Sequence, residues 1–456
     1  MSINAISPID GRYADNVRGL DVFFSEKALM KYRLKMEVEY FIALSQAKVF
    51  RNLTKAEQGK LRSWFEKFSD KEASAIKVIE STTRHDIKAL EYFMKKKIDG
   101  TGMRKLKEYV HFGLTSEDVN NIAYSLAITD FLDSILVPWL RQLIAQLLEL
   151  AEAHKKVAML ARTHGQPAVP TTVGKEISVY VSRLSRQLGL LKAHSCQAKL
   201  NGAVGNYNAA VSALPKVDWV KFSWQFITGL GLTPNLVTTQ VESHDSWAEL
   251  FGIMQRINNI LLDLDKDMWH YISIEYFRQK ADRGEVGSST MPQKVNPIDF
   301  ENSEGNLGIA NALFGHFISK LQHSRLQRDL SDSTVQRNIG VAFAHSVIAY
   351  AATSKGLKKL ELNSYRIEQD LESHLEVLAE AIQTVLRREG LESAYERLKE
   401  FTRGKTLTLP ALRLFIEKLP VSDKVRQELF RFTPQNYIGI ADKLVDIAVK
   451  DARNVL

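Results

Sequence analysis

Leu136, Leu140, Leu143, Leu147 and Leu150 recur at steps of four, three, four and three. Ile177, Val181, Leu184, Leu188 and Leu191 repeat the spacing, and Ile253, Ile257, Ile260 and Leu264 repeat its first three steps. Residues three and four apart share one face of an α-helix, so each run draws a single apolar stripe. Three such stripes predict long helices packed nearly parallel in a bundle, with the stripes as core rather than cofactor contacts. Gly 24 and Pro 11 in 456 residues leave few positions to interrupt those helices. Pro138 falls early in the first run and is expected to begin or kink a helix. The fold expectation is all-α, with strands present only as minor hairpins.

A chain of this length exceeds one hydrophobic core, so several domains are expected. The pattern suggests an N-terminal helical domain over 1–112, a long-helix domain over 113–364 and a smaller helical domain over 365–456. Glu361-Leu362-Asn363 reads as the end of the last long helix, and Thr433-Pro434 as an N-cap followed by Pro at the first helical position.

Cys196 is the single cysteine, which excludes an intrachain disulfide and fits a reducing cytosol. The opening MSINAISPIDGRYADN has neither the basic segment nor the apolar core of a secretory leader. No run of about 18 apolar residues is apparent, so no membrane span is expected. The net charge is +8, yet the longest basic run is Lys95-Lys96-Lys97 and acids are interspersed elsewhere. That pattern does not favour a nucleic-acid binder. It suits either a mixed solvated surface or attraction of a multiply anionic small molecule.

Chemistry concentrates in Gly287-Ser288-Ser289-Thr290-Met291-Pro292-Gln293-Lys294-Val295-Asn296-Pro297. Its prolines, with Gly284 and Gly287, mark a loop and offer hinges for closure over a ligand. A hydroxyl near a cation suits proton abstraction from carbon, the lysine holding the charge that results. Further polar clusters are Arg12-Tyr13, Thr82 to Asp86, His111 to Asp118, Thr163 to Ala168, Asn201 to Asn208, Thr239-Gln240, Glu301-Asn302 and Arg328 to Arg337. There is no His-Glu-x-x-His, cysteine cluster, phosphate loop, dinucleotide fingerprint or Gly-x-Ser-x-Gly elbow, which leaves metal-free acid–base work.

The loop resembles the GSSxMPxKxNP signature of the aspartase/fumarase superfamily. SPIDGRY, TTRHDIKALEYF, HFGLTSEDVNN, RTHGQPA, NGAVGNYNA, NPIDFENSEGN and QRDLSDSTVQRN follow in the order of its adenylosuccinate lyase family, bacterial type, from residue 7 to about 338. The resemblance implies a long-helix bundle that associates into a cytoplasmic homotetramer, with each active site built from three subunits. It implies β-elimination of fumarate from adenylosuccinate and from the related carboxamide ribotide SAICAR, in purine biosynthesis, without cofactor or metal. Gln293 departs from the MPHK usual in that family and is familiar from argininosuccinate lyases, which stand as the alternative.

Residue roles carry over by the same resemblance. Ser288 is the general base, with Ser289 beside it. Lys294 and Asn296 grip the succinyl carboxylate, and Lys294 supports the base. His164 is the general acid, with Glu301 as the carboxylate beside it. His85 belongs near the substrate phosphate or its acid–base network. Arg12, Tyr13, Arg84, Arg328, Ser333 and Arg337 match phosphate and ribose contacts. Thr115 and Ser116 match succinyl contacts, at a helix N-terminus where free N–H groups face an anion. Asp86, Gln240 and Asn302 match further substrate contacts.

Overall fold

The computed structural model describes residues 3–280, 290–291, 294–402 and 407–456. Ser288, Ser289, Gln293 and the hinge glycines Gly284 and Gly287 lie outside the described residues. Five long helices dominate: Ser116–Ala153, Val173–Ala193, Asp245–Ser273, Ile298–Leu321 and Ile339–Lys358. The chain divides into two compact units. One comprises Met1–Trp139, Leu190–Asn258 and Gly305–Ala349; the other comprises Leu140–Gly189, Asn259–Glu304 and Tyr350–Leu456. Every long helix contributes residues to both.

The predicted stripes are core. Leu136, Leu140, Leu143 and Leu147 are buried, as are the Ile177 and Ile253 runs; Leu150 alone is half-buried. In the first unit an aromatic nest joins the helices, with Phe343 ring centroids 4.8 Å from Phe131 and 5.4 Å from Phe314. A second apolar cluster there packs Leu34, Phe41, Leu61, Phe93 and Met94. In the second unit, Leu378, Ile382, Leu386, Leu412, Ile416 and Leu429 form the core of the C-terminal helices. Ser116–Ala153 is long and apolar enough by composition to cross a membrane, contrary to the sequence expectation, but half of its apolar window is packed inside protein. Buried Glu117, Asp118, Asn120, Asn121 and Ser125 line its first turns.

Pro138 is the second residue of the α-helical segment Val137–Ala153, within the longer helix Ser116–Ala153. A π-turn over Leu132–Leu136 precedes it, where the wider spacing of hydrogen bonds makes room for a ring that carries no N–H. Among the described residues the strands form three two-stranded pairs. Two bear on function: the antiparallel hairpin Ala158–Thr163 with Gln166–Thr172, and the pairing of Phe277–Gln279 with Leu360–Leu362. The last long helix therefore ends at Lys358, and Leu360–Leu362 is a strand rather than a helix terminus. Thr433 caps only a turn: its Oγ1 accepts from Asn436 N at 3.3 Å, and the next helix begins at Ala441. The proline entry lies earlier, at Pro410 behind the Thr408 cap.

Candidate active site

The first unit gathers most of the expected anion contacts. Thr115 caps the helix Ser116–Phe131 in a reciprocal box, its N–H donating to Asp118 Oδ2 at 2.9 Å. Asp118 is fully buried, which an isolated carboxylate could not tolerate. Lys199 Nζ lies 3.1 Å from its Oδ1, and Asn201 N and Gly202 N donate to the same oxygen. Lys199 donates onward to Gly202 O at 2.9 Å and Gln240 O at 2.6 Å. One satisfied buried pair thus ties the Thr115–Ser116 turn, the Asn201 loop and Gln240 together. Gly205 closes that loop at φ +75°, so near Thr238 O that a Cβ would stand 2.0 Å from it.

Arg328 sits over this frame. Its Nη2 is 3.1 Å from Glu117 Oε2 and its Nη1 donates to Gln240 Oε1 at 3.4 Å. Gln240 Nε2 is held in turn by Ala203 O at 2.8 Å. Burial pushes the Glu117 carboxyl up to about 7 against the pull of Arg328. Asn120 extends the chain of contacts, donating to Glu117 at 3.4 Å and accepting from Arg33 Nε at 2.9 Å. Arg33 reaches Asp86 at 2.8 Å, and Arg337 stands 3.6 Å from the same carboxylate. Burial alone would raise the Asp86 pKa; the Arg33 guanidinium overrides it and holds it below the ordinary value.

His85 caps the helix Asp86–Asp99, its Nδ1 accepting from Lys88 N at 3.2 Å. The neutral ring must therefore carry its proton on Nε2, which can donate to an incoming oxyanion. Arg84, just before it, is exposed and left-handed at φ 51°. Arg12 is exposed, and Tyr13 is half-buried with its N–H on Pro8 O at 2.8 Å. Ser333 is half-buried in the short helix Ser331–Gln336, and Arg337 also pairs with Glu26 at 2.9 Å. His111 is set apart from these: Glu37 lies 2.5 Å from its Nδ1. Burial would lower the His111 pKa, but Glu37 prevails and raises it.

The second unit carries the remaining candidates. His164 and Gly165 form the two-residue tip of the hairpin, at φ 54° and 74°, flanked by the Thr163–Gln166 pair. Two successive positive φ values suit a type I′ turn, whose first position ordinarily favours Asn or Asp. His164 is exposed there, in a conformation a histidine adopts at a cost. Lys294 is exposed and Asn296 half-buried ahead of the helix Ile298–Leu321. Glu301 lies in its first turn, where Trp269 Nε1 donates to Glu301 Oε1 at 3.1 Å, and Asn302 follows it. Among the described residues no hydrogen bond or ion pair joins Glu301 to His164.

Sequence reasoning missed Arg33, Asn120, Lys199 and the pairings of Glu117 and Asp118. Glu117, Asp118 and Asn120 all stand in the HFGLTSEDVNN motif, but nothing local in it announces their distant partners. Among the described residues no three His, Cys, Asp or Glu side chains form a metal-ligating group.

The Lyase family matches residues 11–312, and the adenylosuccinate lyase C-terminal family matches residues 324–438. Adenylosuccinate lyase of Legionella pneumophila (strain Corby) is 49% identical over 449 residues, covering 97% of this chain and 98% of the relative. That of Escherichia coli (strain K12) is 46% identical over 449 residues, 98% of each. That of Dictyostelium discoideum is 49% identical over 454 residues, 96% of this chain and 97% of the relative. Among solved structures, a fumarate lyase from Mesorhizobium sp. BNC1 superposes with TM-score 0.77 at 19% identity, over 94% of this chain and 97% of that one. The 3-carboxy-cis,cis-muconate lactonizing enzyme of Pseudomonas putida gives 0.75 at 20% identity, over 96% and 97%. These two likenesses concern the fold alone. With near-complete coverage at almost half identity, this chain belongs to the adenylosuccinate lyase family of the aspartase/fumarase superfamily.

Proposed function

We propose that this chain cleaves adenylosuccinate to AMP and fumarate, and SAICAR to AICAR and fumarate, by metal-free β-elimination in purine biosynthesis. The observation that carries the reading is the buried frame around Thr115 and Ser116. It holds Arg328 and Gln240 directly and reaches Asp86 and Arg337 through Asn120 and Arg33, a set of groups suited to a nucleotide with a phosphate and two carboxylates.

Ser288, as alkoxide, takes the proton from the succinyl carbon beside a carboxylate. The electron pair moves into that carboxylate, where Lys294 and Asn296 stabilise the added charge. It returns to form the double bond of fumarate as the C–N bond breaks, and the leaving nitrogen takes a proton from His164. Glu301 is assigned as the carboxylate that orients His164. Ser289, Asn302, Arg12, Tyr13, Arg84, His85 and Ser333 complete the contacts to substrate. His164 and Lys294 are exposed in the single chain, which fits a site completed by other copies in a cytoplasmic homotetramer. The proposed domain limits are 112/113, ahead of the Thr115 cap, and 364/365, one residue into the helix Ser364–Glu372 that Asn363 caps.

Purified protein should release fumarate from both purine substrates and none from argininosuccinate. Ser288→Ala and His164→Gln should each lower kcat by roughly 10²–10⁴ with helicity intact by circular dichroism. Release from argininosuccinate alone would move the assignment to that branch, and normal turnover in either variant would remove that residue from its role.

A further inference from the structure

The second unit contains one carboxylate that joins three separate chain segments. Asp370, in the helix Ser364–Glu372, is 7% exposed. Its Oδ2 accepts from Arg162 Nη2 at 2.7 Å and from the Tyr276 hydroxyl, while His374 Nε2 stands 3.6 Å from Oδ1. Arg162 lies two residues before His164 in the hairpin. The pairing of that hairpin slips between Leu160 and Arg162. An irregularity of this kind turns a side chain away from its regular direction, and here Arg162 reaches a helix more than two hundred residues on. Tyr276 opens the other arm. Its carbonyl accepts from Asn363 N at 2.9 Å, and the strand Phe277–Gln279 behind it pairs with Leu360–Leu362.

A two-residue turn on a two-stranded hairpin is a weak platform for a proton donor, because an isolated hairpin is only marginally stable in water. A catalytic proton must be delivered within about an ångström of its target, so the hairpin needs an external brace. We infer, building on the assignment of His164 as the acid, that Asp370 is a positioning residue that fixes the His164 hairpin through Arg162 and locks it to the Tyr276 strand. It touches no substrate. The C-terminal helices thereby act on the chemistry through one bidentate-capable carboxylate.

The test is a double-mutant cycle on the full-length protein with adenylosuccinate. Asp370→Asn keeps the size and one acceptor but loses the charge-assisted bond from Arg162, a change of about tenfold. The expected result is kcat lowered about tenfold with KM within about threefold, and no further loss when the substitution is added to His164→Gln. Should Asp370→Asn fail to fold, Arg162→Gln severs the same brace from the hairpin side and is expected to give the same pattern. Unchanged kcat, or an equal loss in both backgrounds, would overturn the inference while leaving the elimination reading intact. Normal turnover of His164→Gln itself would overturn the acid assignment and the inference with it.

Discussion

At the scale of single residues, burial outweighs the partners of several described carboxyls, among them Glu117, Asp265 and Asp267. Glu117 is one, raised to about 7 beside Arg328. Asp265 is another, also raised to about 7, where Thr353 Oγ1 donates to Oδ1 at 2.9 Å and, among the described residues, Oδ2 finds no partner. Thermal unfolding reads the effect of this carboxyl on stability directly. Below its unfolded pKa, near 4, it is protonated in both states and contributes no pH dependence. Between there and about 7 the unfolded chain ionises first, so stability falls as pH rises. Asp265→Asn mimics the neutral acid and removes that slope. We expect its Tm to exceed wild type by about 3 °C at pH 8 and by less than half of that at pH 5. A gain independent of pH would show that the carboxyl is not the cause.

At the scale of elements, the hairpin separates what the sequence disclosed from what it hid. RTHGQPA advertised a histidine beside a glycine but gave no alternation long enough to announce a strand pair. The strands are half-buried and irregular in register, and a period of two does not survive that. The long helices were legible because their stripes repeat over many turns. The Asp370–Arg162 and Arg33–Asn120 contacts were not, since partners 208 and 87 residues apart leave no local pattern. His164 also exposes a conflict between shape and chemistry. Its φ of 54° suits asparagine better than histidine, so the turn itself does not call for an imidazole. His164→Asn should therefore leave Tm unchanged or raise it by about 1 °C, while lowering kcat by roughly 10²–10⁴. Equal losses of stability and turnover would make the imidazole a structural requirement of the tip.

At the scale of the whole molecule, the candidate residues fall into two sets by unit. Arg12, Tyr13, Arg84, His85, Asp86, Thr115, Ser116, Gln240, Arg328, Ser333 and Arg337 belong to the first, and His164, Lys294, Asn296, Glu301 and Asn302 to the second. A site that drew on a single copy would need both sets from one chain. The shared-site reading draws them from different copies, and the exposed His164 tip and exposed Lys294 suit it. The two arrangements differ in how defects combine. Co-expressed His164→Gln and Arg328→Ala chains, assayed at substrate well below KM, are each slow on their own. If sites are shared and chains mix at random, about a quarter of the sites in the hybrids receive neither defect. The mixture should then turn over many times faster than either parent, and the gain should vanish when the oligomers are assembled separately and combined only for the assay. Activity equal to the mean of the parents would place every catalytic group of a site on one chain.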